Sequence, residues 1–323
     1  MTAELGYSPL FDPAEPSTTF DVERILRRGD EAPAGGYVYD AEGRIALAVN
    51  VALATGRPLL IRGRPGSGKS SLAADVAERL GWRYYGNTIT SRTRARDLLW
   101  SFDAVRRLSD AHAGDVLDPL AYVTPGVLWW AFSPESAATR GPSDRGLADR
   151  GLERLPDPSP RQGDRAVVLL DEIDKADPDV PNDLLLPLGA LHFTVTEVEG
   201  GPTVTATVPP LVLITTNEER DLPQAFVRRC VVLTLRDPDG DRMIEIATAH
   251  FGRSVARRRL REILAAYDEV RKLRTPESHE PNLAEYLDAV AAAAALDLRA
   301  DPGVNWDELV ELTLRKTQPD GML

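Results

Sequence analysis

Eight residues, Gly63-Arg64-Pro65-Gly66-Ser67-Gly68-Lys69-Ser70, place three glycines, an ammonium and a hydroxyl directly after the apolar run Pro58 to Ile61. Glycines at 63, 66 and 68 let the backbone curl so that successive N–H groups face one anion. Lys69 adds a point charge for the outer phosphates of a polyphosphate, and Ser70 a hydroxyl for Mg²⁺. Ser71 follows in the first turn of a helix whose open N-terminus also favours anions. Residues 63–71 therefore read as a cradle for a nucleoside triphosphate. A Gly-rich turn between strand and helix also occurs in folds that bind nothing, so the reading needs a second group of reactive residues.

That group is present downstream. Val167 to Asp174 reads V-V-L-L-D-E-I-D, an apolar strand ending in adjacent carboxylates. Asp171 at the strand tip suits Mg²⁺, shared with Ser70, and Glu172 suits orienting or deprotonating an attacking water. The plain alternative is a solvated acidic strand end. Leu211 to Asn217 repeats the design, with Thr216 and Asn217 closing an apolar strand. An amide there can bond a γ-phosphate or a water without adding charge, although Asn is also a common turn initiator. Arg228 and Arg229 precede a further apolar run, where a guanidinium could stabilise phosphate charge in a neighbouring subunit. An exposed basic pair flanking a strand would look the same.

The elements that must hold these residues follow a strand–helix alternation. Ala41 to Thr55 carries apolar residues at helical spacing and stops at Gly56. Leu72, Ala73, Val76, Ala77 and Leu80 form one face of a helix over 70–80, ended by Gly81. Strands are expected at Trp82 to Ile89, Ala166 to Leu170, Leu211 to Thr215 and Cys230 to Leu235. The last three, apolar on both faces, suit a parallel sheet covered on both sides. The expectation is a doubly wound α/β domain over 31–237, then a small all-α lid over 238–323. Within the lid, helices are expected over 243–251, 256–273, 283–298 and 306–314, with Asn282 and Asn305 as N-caps. Residues 1–30 read as a loosely ordered arm. Ser133 to Arg165, dense in Pro, Gly, Ser and charge, reads as a mobile loop, and 192–208 as a β-hairpin around Gly200-Gly201.

Composition narrows the classes. Lys plus Arg total 38 against 50 Asp plus Glu, a formal charge of −12, which argues against a generic binder of nucleic-acid backbone. Cys230 is the single cysteine and the four histidines lack ligand spacing, so neither a disulfide framework nor a thiolate metal site is expected. With no basic-then-apolar leader and no apolar run near ~18 residues, a cytoplasmic protein without a membrane partner is expected. No Asn-Lys-x-Asp guanine motif is present, which favours ATP.

Three stretches together resemble the AAA+ ATPases, specifically their MoxR and dynein-related branch: G-R-P-G-S-G-K-S at 63–70, L-L-D-E-I-D-K-A-D at 169–177, and T-T-N-E-E-R-D-L-P-Q-A-F-V-R-R-C at 215–230. The resemblance spans about residues 30–300. It implies a P-loop NTPase fold, Walker A and Walker B roles for the first two stretches, a sensor 1 role for Asn217 and an arginine finger at Arg228 or Arg229. It further implies a ring homo-oligomer, usually hexameric, with ATP and Mg²⁺ between subunits and a protein client remodelled by a chaperone-like cycle. Such proteins frequently act beside a von Willebrand A domain protein. The 192–208 hairpin and Tyr122 to Trp130 match inserts expected to face a pore or client, though 127–130 could equally cover a helix. One departure is that Glu280-Pro281-Asn282-Leu283 stands where many relatives carry a lid arginine, with Arg274 nearby. A nucleotide-gated scaffold with slow hydrolysis and a DNA-directed NTPase motor are the rival expectations.

Overall fold

The computed structural model describes residues 8–13, 37–141, 147, 151–161, 163–252, 254–273, 279–298 and 304–316. Its strands are β1 (Leu59–Arg62), β2 (Arg83–Thr88), β3 (Trp100–Phe102), β4 (Val123–Pro125), β5 (Ala166–Asp171), β6 (His192–Thr194), β7 (Thr203–Thr205), β8 (Leu211–Thr216) and β9 (Val231–Thr234). Its α-helices are α1 (Arg44–Thr55), α2 (Lys69–Leu80), α3 (Ala104–Ala113), α4 (Val127–Phe132), α5 (Pro134–Thr139), α6 (Asp179–Asp183), α7 (Leu185–Ala190), α8 (Gln224–Val227), α9 (Gly240–Phe251), α10 (Arg257–Lys272), α11 (Leu283–Ala295) and α12 (Val304–Val310). Two compact units result. The first comprises Met1–Pro16, Ala41–Arg62 and Val76–Leu233, the second Ser17–Asp40, Gly63–Asp75 and Thr234–Leu323.

In the first unit a five-stranded sheet runs in the order β2-β5-β8-β1-β9. The β2–β5, β5–β8 and β1–β8 pairs are parallel. Every residue of β5 and β8 is buried, as are Leu59 to Ile61 of β1, which is why these segments read as unbroken apolar runs. Burying each Val, Leu or Ile side chain among them contributes roughly 1.5–3 kcal/mol. Register fixes what lies side by side at the carboxyl edge. Arg62 pairs with Thr216 and Leu170 with Ile214, so the ends of β1, β5 and β8 are neighbours. Because β1 sits between β8 and β9, the strand order reverses beside it, the place where open α/β sheets bind ligands. β9 departs from expectation: Val232 is 44% exposed and Leu233 is the strand's buried side chain, as befits an edge rather than a covered interior strand.

Insertions pack around an aromatic cluster. The Phe193 ring of β6 lies 5.4 Å from Trp100, 5.8 Å from Trp129 and 6.0 Å from Phe132. β6 and β7 pair antiparallel, forming the hairpin read in the sequence. Leu128, Trp129 and Trp130, expected on a pore or client face, are instead core residues, because the cluster supplies them with apolar partners. The segment 133–165 also departs from a mobile loop: α5 buries Ala137 and Ala138, and Arg140 donates to the Glu153 carbonyl at 2.9 Å. Part of the N-terminal arm is anchored too. The N–H groups of Leu10 and Phe11 donate to Asn50 Oδ1 of α1 at 2.6 and 2.8 Å, and Phe11 is buried. Most of that arm, Arg274 and parts of 133–165 lie outside the described residues.

The second unit contains α9 to α12 around Met243, Leu260, Ile263, Tyr286, Val290 and Leu314. Asp239 caps α9 by accepting from the Arg242 N–H, and Asn282 caps α11 in a reciprocal box with Glu285. Asn305 is not an N-cap, since α12 already includes it. A π-turn, Glu311–Arg315, continues α12.

Candidate functional site

Within the second unit the glycine-rich loop is folded as its spacing requires. Gly66 and Gly68 have φ of 76° and 85°, a region that L side chains rarely adopt. Space is closed as well. A Cβ on Gly66 would lie 2.6 Å from Asn282 Oδ1, and one on Gly68 would lie 3.2 Å from the Tyr37 ring. Lys69 is the first residue of α2 and is buried, its Nζ donating to the carbonyls of Gly63 and Arg64 at 2.8 Å each. The ammonium is thus held against the loop whose N–H groups would receive phosphate oxygens. Arg64 turns outward, 2.9 Å from Glu280 and 3.2 Å from Asp237. A strap before α1 lies against α2. The Tyr37 N–H and the Tyr39 hydroxyl both donate to Asp75 at 2.8 Å, while the Arg242 guanidinium donates to the carbonyls of Val38 and Tyr39. Burial pushes the Tyr37 phenol far above its ordinary value.

Within the first unit the ends of β5 and β8 form one hydrogen-bonded cluster. Thr215, fully buried, donates its hydroxyl to Asp171 Oδ1 and accepts the Glu172 N–H at 2.9 Å. Asn217 Nδ2 donates to Glu172 Oε1 at 3.1 Å. Glu172 has φ of 60° and precedes the 3₁₀ turn Ile173–Lys175, in which side chains three apart eclipse. Lys175 accordingly reaches back to Glu172 Oε2 at 2.6 Å, and that hydrogen bond holds the ammonium above its usual range. Asp174 is buried, and its Oδ2 accepts the N–H groups of Asn217 and Glu219 at 3.1 and 3.0 Å, which fixes the turn bearing Asn217. The carboxylates of Asp171, Glu172 and Asp174 and the amide of Asn217 therefore converge at one sheet edge.

The sequence-derived residues fall into two groups. Gly63, Arg64, Pro65, Gly66, Ser67, Gly68, Lys69, Ser70 and Ser71 belong to the second unit, and Asp171, Glu172, Asn217, Arg228 and Arg229 to the first. Arg228 and Arg229 are exposed between α8 and the edge strand β9, Arg229 donating to the Ala225 carbonyl at 3.1 Å. Cys230 beside them is half-buried, and burial pushes its thiol up to about 11, leaving it protonated at neutral pH. Thr215, Asp174 and Lys175 were missed by sequence reasoning. Thr215 left one signal, a hydroxyl that, with Thr216, ends a strand otherwise made of aliphatic residues. Among the described residues no group of three or more His, Cys, Asp or Glu is placed to hold a metal, and no helix is long and apolar enough to cross a membrane.

The family model for the AAA domain (dynein-related subfamily) matches residues 58–230, more than half of the chain. That span contains the glycine loop, the acidic end of β5 and the β8 end through Arg229. No curated protein matches the sequence. Among solved structures, the crystal structure of a candidate ATPase from Cytophaga hutchinsonii is similar at 16% identity, with a TM-score of 0.41, over 84% of this chain and 79% of that one. The chain belongs to the dynein-related subfamily of AAA domains, an α/β P-loop fold with helical segments, and is a nucleotide-binding ATP hydrolase.

Proposed function

We propose that the chain hydrolyses ATP with Mg²⁺ at sites between subunits of a six-membered homo-oligomeric ring and uses the cycle to remodel a protein partner.

 The observation that supports this reading is the cluster at the ends of β5 and β8, where Thr215 ties the Asp171 carboxylate to the Glu172 backbone and Asn217 meets the Glu172 side chain. In it, Glu172 orients and deprotonates the attacking water, and Asn217 holds that water or the γ-phosphate. Lys69 and the loop N–H groups receive the outer phosphates. Taken each by itself, the Ser70 hydroxyl and the Asp171 carboxylate carry oxygens of the kind that Mg²⁺ takes as a hard cation. When bound, the metal would neutralise phosphate charge.

Arg228 and Arg229 are the groups assigned to act on a neighbouring subunit's nucleotide, since both are exposed beside an edge strand. The client is a protein, with a von Willebrand A domain protein as the partner class suggested by resemblance, and the cycle runs in the cytoplasm. One observation favours the slower, scaffold-like reading: both oxygens of Glu172 accept hydrogen bonds, from Lys175 and Asn217, so a water must share the carboxylate with these donors, which lowers its basicity. Phosphate release measured beside particle mass, with ATP and with a slowly hydrolysed analogue, tests both readings. Turnover that vanishes in Glu172→Gln while nucleotide-driven assembly persists supports the inter-subunit ATPase. Turnover unchanged in Glu172→Gln, or in the Arg228→Ala/Arg229→Ala double variant, refutes the corresponding assignment.

A further inference from the structure

Within the second unit, the phosphate loop and the start of α11 meet at two points. The first is steric. Gly66 approaches Asn282 and Ala284 so closely that a Cβ would lie 2.6 Å from Asn282 Oδ1 and 3.1 Å from Ala284 Cβ. The second is ionic. Arg64 lies 2.9 Å from Glu280 and 3.2 Å from Asp237, and Arg271 at the end of α10 adds a contact to Glu280 at 3.4 Å. The hydrogen bond that Arg64 donates to Glu280 holds its guanidinium above its usual range.

The sequence positions make this arrangement informative. Arg64 occupies the second position of G-x-x-x-x-G-K-S, where loop geometry demands no particular residue, and its guanidinium meets carboxylates on the segments before α9 and α11. Glu280 is 18% exposed against 54% for Arg64, so the acid end of the pair is the more shielded and the less screened by salt. Asn282, two residues on, caps α11 by accepting the Glu285 N–H at 3.1 Å. One short stretch, 280–284, thus caps a helix and grips the phosphate loop.

We propose that Arg64 is a positioning residue that docks the start of α11 on the phosphate loop through Glu280, so that loop geometry and nucleotide affinity are set in part by helical residues distant in sequence. The proposal rests on the reading of residues 63–71 as the nucleotide cradle. An isolated exposed ion pair contributes little. Here the steric contact at Gly66 orients the partners in advance, and four charges share the network, so the ordering cost is partly met by other contacts.

The test is a charge-reversal cycle on the full chain: Arg64→Glu, Glu280→Arg and the double variant, with ADP binding measured by calorimetry and amide hydrogen exchange followed over 282–287. Each single variant should weaken ADP binding about three- to tenfold and speed exchange at the start of α11. The double variant should recover part of both, because the pair is restored with its charges exchanged while Asp237 and Arg271 then each face a like charge. Additive losses in the double variant, or single variants that bind ADP and exchange as wild type does, overturn the proposal. A wild-type chain that binds no ADP would instead refute the nucleotide-cradle reading itself. Arg64→Lys gives an independent arm: it keeps the charge and should retain more affinity than Arg64→Ala, and equal losses in the two would also count against the ionic dock.

Discussion

Replacing Thr215 by Val changes one buried hydroxyl into a methyl of nearly the same shape, and the structure specifies what is lost. The hydroxyl donates to the Asp171 carboxylate and accepts the Glu172 N–H at 2.9 Å, with Thr215 itself fully buried. A hydrogen bond to a charged group contributes about 1.5–3 kcal/mol, and stranding an N–H that is partly buried costs about 1 kcal/mol more. The added methyl recovers about 0.8 kcal/mol of burial. The net destabilisation is therefore about 2–3 kcal/mol. Thr216→Val is the matched control, because the Thr216 hydroxyl is also buried but accepts a single neutral bond, from the Glu218 N–H at 3.0 Å, worth about 1 kcal/mol. Urea unfolding followed by tryptophan fluorescence reads the first unit, which holds Trp82, Trp100, Trp129 and Trp130, whereas Trp306 is in the second. Turnover should fall about tenfold or more in Thr215→Val if about 1.4 kcal/mol of the loss is felt in the transition state. Thr215→Val with wild-type stability and turnover, or with losses no larger than those of Thr216→Val, would refute the view that this hydroxyl joins the two carboxylate-bearing positions.

Lys69→Ala should abolish measurable ATP binding, since it removes the buried ammonium held at the loop carbonyls, whereas Glu172→Gln should bind ATP normally and lose turnover; calorimetry and phosphate release separate the two. Gly66→Ala should weaken nucleotide binding and lower the melting temperature, because the new Cβ meets Asn282 at 2.6 Å and φ is 76°. Asn282→Ala removes the cap of α11 and should cost about 1 kcal/mol in thermal unfolding. Glu285 supplies the pH dependence: burial works to raise its carboxyl, but hydrogen bonds from Lys316, His279 and the Asn282 N–H more than offset this and hold it below the ordinary value of 4.5. A depressed carboxyl stabilises the fold above its unfolded value, and that contribution is lost as pH falls from about 4.5 through the folded value. Glu285→Gln should flatten the acid limb of a stability–pH curve, and an unaltered limb would show that this carboxyl does not set it.

Much of the fold was legible because its signals are local. Leu59 to Ile61 followed by the glycine loop, and Val167 to Asp171 followed by Glu172, each put strand, turn and reactive group in one short stretch, so adjacency in sequence became adjacency in space. What escaped depends on pairing between distant segments. Nothing near Thr215 announces that β8 lies beside β5, yet that pairing alone brings its hydroxyl to Asp171, forty-four residues away. For Trp129 and Trp130 the resemblance implied a presented face while the residues alone could equally cover a helix, and only Phe193 from the hairpin and Trp100 from β3, distant in sequence, complete a core around them. β9 failed in the opposite sense. Its apolar residues suit a covered strand, and only the strand order, with β1 its sole neighbour in the sheet, leaves Val232 exposed. The glycine-rich loop shows the same limit: its glycines were readable as residues that let the backbone curl, whereas the contact that closes the space at Gly66 comes from Asn282, which the sequence marked as a helix cap in a stretch lacking the lid arginine of relatives. Local chemistry chooses the residue types, and long-range packing decides which of them share a task.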